Sequence, residues 1–139
     1  MKRTPWLTLL VGLLLATGCG VPATSGEKLR TSVLHYNESY RWGKYYTASL
    51  HLELKKRKAF LESTIDSKVR VTEYDIREVI HNSAKKEAYV IVRYNWYALP
   101  SLRVHTSTYR QHWKYKDTAW LLVDQMQLKR KKKKRVSLR

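Results

Sequence analysis

One cysteine, one phenylalanine, three prolines, five glycines and 11 acidic residues against 28 basic ones: these 139 residues are short of much. The lone cysteine, Cys19, has no partner for an internal disulfide, so the fold must stand on packing. The same scarcity removes any Cys-x-x-Cys metal site, and none of the five histidines has an i, i+4 partner for a helical zinc site. With glycine so sparse there is no Gly-rich phosphate loop, no Walker pattern and no Gly-x-Ser-x-Gly elbow. No motif therefore marks a catalytic residue, a metal or a cofactor, and none is expected. Long apolar runs are missing too. The longest, Trp6 to Ala16, has eleven residues, and a spanning helix needs roughly 20.

What is present starts at the N-terminus. Lys2 and Arg3 precede "WLTLLVGLLLA", and the small residues "ATG" follow. A positive start, a short apolar run and small residues make a secretory signal, so residues 1–18 are expected to be removed on export. "ATGC", Ala16 to Cys19, resembles the lipobox of bacterial lipoproteins, in which the cysteine thiol takes a diacylglycerol before cleavage. The departure is Ala16, where that family most often has Leu. Ala16 and Gly18 also suit an ordinary signal peptidase, which would leave Cys19 unmodified. The lipobox resemblance implies lipid attachment at Cys19, with acyl chains as the membrane partner. At about 0.8 kcal/mol per buried CH₂, two or three chains anchor firmly. It also implies the outer membrane, facing the periplasm, because Gly20 stands where enteric-type lipoproteins retained at the inner membrane carry Asp.

Residues 19–26 then read as lipidated cysteine and tether, small, polar and broken by Pro22. Leu29, Val33, Tyr36 and Tyr40 lie on one face of a helix, with Gly43 as its break. Two further helical pieces follow, "KYYTASLHL" and "ELKKRKAFLESTID", the latter with Phe60, Leu61 and Ile65 facing inward. Past Ser67 the pattern becomes β. Val69 and Val71 alternate, and Tyr74 and Ile76 resume out of phase, which predicts a bulge at Thr72–Glu73. Ala88, Val90, Val92, Tyr94 and Trp96 share one face at period two. "LRVHTSTYRQHWKY" runs back, "KDT" turns, and "AWLLVDQMQL" ends the sheet. Helices first, then four long strands with short connections, predict an α+β fold: N-terminal helices on a curved antiparallel meander over residues 27–128.

"RQHWKYKDTAWLLVD", with Gln111, Trp113 and Trp120-Leu121-Leu122, and "RWGKYY" after the first helix resemble the nuclear transport factor 2-like superfamily, the cystatin-like roll. The resemblance implies a cone-shaped cavity in which enzymes of this group place an Asp, Tyr or His. Tyr94, His105, Tyr109, His112 and Asp124 are the candidates for such a group here, and none forms a motif. It also admits a homodimer through the sheet. The aromatic set admits two readings. Trp42, Tyr45, Tyr94, Trp96, His105, Tyr109, Trp113 and Trp120 line a ligand cavity, or these rings are the core and its rim.

Residues 129–139 carry eight basic groups and no acid. Such a block repels itself and is expected to be a disordered tail. In a cytosolic protein Lys129, Arg130, Lys131, Lys132, Lys133, Lys134 and Arg135 would suggest nucleic acid. Export argues against that and leaves anionic lipid, lipopolysaccharide or an acidic envelope protein as partners. The functional expectation is an exported, membrane-anchored, non-catalytic binding or scaffold module. The alternative is a small-ligand enzyme or carrier using the cavity.

Overall fold

The computed structural model describes residues 23–129. The signal stretch, Cys19 and tail residues 130–139 lie outside the described residues; Lys129 is exposed at their edge. Among the described residues no helix is long and apolar enough to cross a membrane.

Helix α1 spans Ser25–Arg41, so it starts inside the stretch read as tether. Thr24 is the reason. Its hydroxyl accepts the Glu27 N–H at 3.2 Å, and the Glu27 carboxylate accepts the Thr24 N–H at 2.7 Å. This reciprocal capping box satisfies two of the first-turn donors. Leu29, Val33 and Tyr36 are buried along one face, as the spacing predicts. Asn37 on the same face is buried too. The helix stops at Arg41 and the chain turns away at Gly43, whose φ of 68° a side chain would strain even though space is open there.

Helices α2 (Tyr45–Ser49) and α3 (Leu54–Thr64) follow. Between them Leu52 pairs in parallel with Leu122, and the Leu122 N–H donates to the His51 carbonyl at 2.7 Å. On α3 the predicted inward face is only partly right. Phe60 and Leu61 are half-buried, but Ile65 is 44 % exposed. The helix ends at Thr64, and Ile65 falls past its last turn toward an open groove.

Strands β1 (Val69–Asn82), β2 (Glu87–Ala98), β3 (His105–Lys116) and β4 (Ala119–Leu128) form one antiparallel sheet in the order β1-β2-β3-β4. The bulge expected at Thr72–Glu73 is there as a register shift between Val71 and Glu73. A second lies between Ile76 and Glu78, and a third falls where His112 and Trp113 pair with Asp124 and Leu122. Each extra residue bends its strand and adds twist, so three of them curl the sheet around the helices. β3 begins later than its sequence pattern predicts: Leu102, Arg103 and Val104 belong to the connection from β2. Lys86 and Asp117, both at φ 52°, close the two tight turns.

The core is formed by α1, the inner face of β2, Trp113 of β3, and Trp120 and Leu122 of β4. Among the described residues it lies between Leu29 and Leu122, all within a chain starting at Gly20.

Candidate functional site

The concave side of the curled sheet leaves a cavity of about 230 Å³ beneath α1 and the end of α3. Tyr40 and Tyr45 wall it from the helices, Ser63, Thr64 and Ser67 from the α3–β1 corner, and Val69, Val71, Tyr94, Trp96, Tyr109 and Gln125 from the sheet. Tyr94 and Tyr109 meet edge to face at 5.6 Å, and Tyr40 leans on Tyr94 at 5.8 Å.

Behind Tyr94 and Gln125, which line the cavity, lies a fully buried polar cluster that carries no charge. Asn37 Nδ2 donates to the Val33 carbonyl at 2.8 Å, which fixes the amide's orientation. The Tyr94 hydroxyl donates to Asn37 Oδ1. Gln111 Nε2 faces Asn37 Oδ1 at 2.9 Å, the Tyr94 hydroxyl at 3.1 Å and Gln125 Oε1 at 3.0 Å. Trp113 Nε1 donates to Gln111 Oε1 at 3.2 Å. Asn37, Tyr94, Gln111 and Trp113 are all buried, so the chain offers each polar atom a partner where water does not.

The tyrosines are poorly suited to proton transfer. A general base works best with a pKa near the operating pH. Burial disfavours the phenolate and pushes Tyr94 well above its ordinary value. Burial likewise pushes Tyr40 up to about 12, with Tyr45 and Tyr109 adding to the rise. The cavity can hold a small, largely neutral molecule between aromatic walls and amide and hydroxyl tips.

Of the eight side chains proposed to line a cavity, Tyr45, Tyr94, Trp96 and Tyr109 line this one. The other four lie elsewhere. Trp113 is fully buried core, packed edge-on against Tyr36 at 5.8 Å. Trp120 is core at the far end of the sheet, where its Nε1 donates to the Ser25 carbonyl at 3.0 Å. Trp42 is 62 % exposed on the outside, bonded to Glu38 and lying under Arg41. His105 is exposed and stacks on Trp96 at 4.8 Å. His112 stacks on Tyr89 on the outer face at 4.5 Å, and Asp124 is exposed beside the cleft between α3 and β4. The five candidate titratable groups therefore do not converge. Asn37, Gln125, Thr64 and Tyr40 went unnoticed as site residues. Asn37 could have been found, since an amide on the stripe that carries Val33 and Tyr40 must meet a buried partner.

Two histidines meet away from the cavity. His35 Nδ1 and His51 Nε2 are 2.7 Å apart, between α1 and the α2–α3 connection. Among the described residues no three His, Cys, Asp or Glu side chains gather as a metal site would require. Burial lowers the His51 pKa to about 4, with His35 and Arg57 adding to the shift. His51 is thus neutral when folded, and its usual unfolded value is about 6.5. Stability from this group is present above pH ~6.5 and is lost as pH falls toward 4. His51→Gln should flatten the fall in Tm between pH 7 and pH 4, and an unchanged acid slope in that variant would discount the pair.

No protein-family model matches this sequence, and no curated protein matches it. Solved structures do match. An NTF-2 like protein of unknown function from Shewanella oneidensis aligns at a TM-score of 0.56 with 11% identity, over 75% of this chain and 98% of that one. An NTF2-like protein from Cytophaga hutchinsonii gives 0.55 with 10% identity, over 74% and 96%. The fold is nuclear transport factor 2-like. A candidate Ca/calmodulin-dependent kinase II association domain from Exiguobacterium sibiricum aligns at a TM-score of 0.61 with 11% identity, over 79% of this chain and 98% of that one. In this nuclear transport factor 2-like roll Tyr94 lines the cavity, and Asn37, Gln111, Trp113 and Tyr36 lie buried behind it.

Proposed function

We propose that this chain is a non-catalytic binding or scaffold module of the bacterial cell envelope, held to the membrane by an acylated Cys19. The observation that carries the non-catalytic part is the neutral lining of the cavity. No Asp, Glu, His or Lys is among its lining residues, and the Tyr94 hydroxyl is committed to Asn37 in the buried cluster behind it. The envelope part rests on "ATGC" behind its short apolar run. Lys129 and the basic residues after it suit an anionic partner there.

Intact mass of membrane-extracted protein tests the anchor. The expected mass is that of a chain starting at Cys19 and carrying two or three acyl chains, with Cys19→Ser released from the membrane fraction. An unmodified Cys19, or a Cys19→Ser chain still held there, overturns it. The second reading, a carrier of a small neutral molecule, is favoured by the aromatic walls of the 230 Å³ cavity. A co-purifying small molecule in native mass spectra, lost on Tyr45→Ala, would support it.

A further inference from the structure

Three apolar side chains lie in the connection between β2 and β3, and among the described residues no other element covers them. Leu99 is 42 %, Leu102 73 % and Val104 58 % exposed. Arg103 sits between the latter two, and the Leu99 N–H donates to the carbonyl of Lys68 at 3.0 Å, which brings a second cation alongside. Single exposed apolar residues need no explanation, but three in one loop beside two cations do.

The basic run starts from the same end of the sheet. Leu128, the last residue of β4, pairs with Thr108, and β4 runs antiparallel to β3, so β4 ends at the same end of the sheet as this loop. Lys129 and Thr106 line one cleft. Six more basic residues follow Lys129 in the sequence, to Arg135.

We propose that this end of the roll, with Leu99, Leu102 and Val104 at its tip and Lys68, Arg103 and Lys129 around them, docks onto an anionic phospholipid surface. Leu102 and Val104 are well over half exposed, a tip and not a groove, which suits a surface better than a shaped segment of a protein partner. A fluid interface needs none: the apolar tips enter the acyl boundary while the cations meet phosphate. The N-terminal cap lies at the other end of the sheet, where Trp120 holds Ser25. Twelve residues of β2, about 40 Å at ~3.3 Å each, separate the two ends. The docking face is therefore independent of Cys19, and either proposal can fail alone.

The test is flotation of the chain from Gly20 to Arg139 with vesicles of phosphatidylcholine alone or mixed with phosphatidylglycerol. Wild type should bind the mixed vesicles and not the neutral ones. Leu102→Ser with Val104→Thr leaves charge and core untouched, and should weaken binding roughly tenfold or more with an unchanged circular dichroism spectrum. Lys131 to Lys134 changed to Gln should weaken it as well. Loop-variant binding equal to wild type overturns the proposal, because the tail alone would then be the contact. Failure of wild type to bind the mixed vesicles also overturns it and leaves an acidic protein as the occupant.

Discussion

Trp113→Ala is expected to lower the melting temperature by roughly 20 °C, and to leave little folded protein if the wild type is near the low end of ordinary stability. Trp113 has no exposed surface and packs edge-on against Tyr36. Removing a buried Trp costs about 3–5 kcal/mol, a transfer term plus a term for the cavity left behind. A domain of this size loses about 4–8 °C per kcal/mol, and its whole stability is about 5–15 kcal/mol. The truncation also leaves Gln111 Oε1 short of its Trp113 donor, in a place water does not reach. Trp42→Ala is the comparison. That ring is 62 % exposed, and its contacts with Glu38 and Arg41 are surface contacts of about 1 kcal/mol at most. Thermal melts followed by circular dichroism decide between them. If the two variants melt within a few degrees of each other, Trp113 is not the centre of this core.

That contrast shows what could and could not be read in the sequence. Both tryptophans look alike on paper, since each lies near the end of an element among tyrosines. Period and punctuation are local, so Leu29-Val33-Tyr36, the alternation from Ala88 to Trp96 and the slip after Val71 could be read as one helix face, one strand face and one bulge. The bulge at Arg77 left no such trace. Ile76 and Val79 both lie on the helix side of the sheet, but the α helices do not reach Val79, which is half exposed, so the alternation fades before the shift appears. Ile65 failed for the opposite reason: its spacing is right for α3, but the helix stops at Thr64. The site was harder still. Which of Trp96, Trp113 and Trp120 face a cavity depends on how three bulges curl the sheet, a sum of small bends that no single residue announces. The polar groups buried behind the cavity were legible in principle. Asn37 and Gln111 each stand where an apolar residue would keep the pattern, and two amides out of pattern on elements that pack together predict each other.

Gln111→Glu should turn a nearly pH-independent position into one that unfolds the protein as pH rises. Its Nε2 faces Asn37 Oδ1, the Tyr94 hydroxyl and Gln125 Oε1 at 2.9, 3.1 and 3.0 Å. A carboxylate oxygen in that place meets three oxygens with no donor of its own, since the Tyr94 proton already goes to Asn37. A carboxylic acid keeps one donor and fits. Burial and this geometry both raise the folded pKa of the new side chain above the unfolded ~4.3. The folded state then holds the proton longer than the unfolded state. Stability is therefore fully present below pH ~4.3, and is lost at about 1.4 kcal/mol per unit as pH climbs toward the folded pKa. An uncompensated buried charge costs about 3–5 kcal/mol, so the variant should melt on the order of 15 °C or more below wild type at pH 8 and close to it at pH 4.5. The slope opposes that of His51, which destabilises the wild type on the acid side, so the two effects separate in one set of melts. Melting curves that run parallel to wild type from pH 4.5 to 8 would mean that water reaches Gln111. The cavity would then extend past Tyr94 and Gln125 to the amide cluster, and a carrier with a polar floor would describe this roll better.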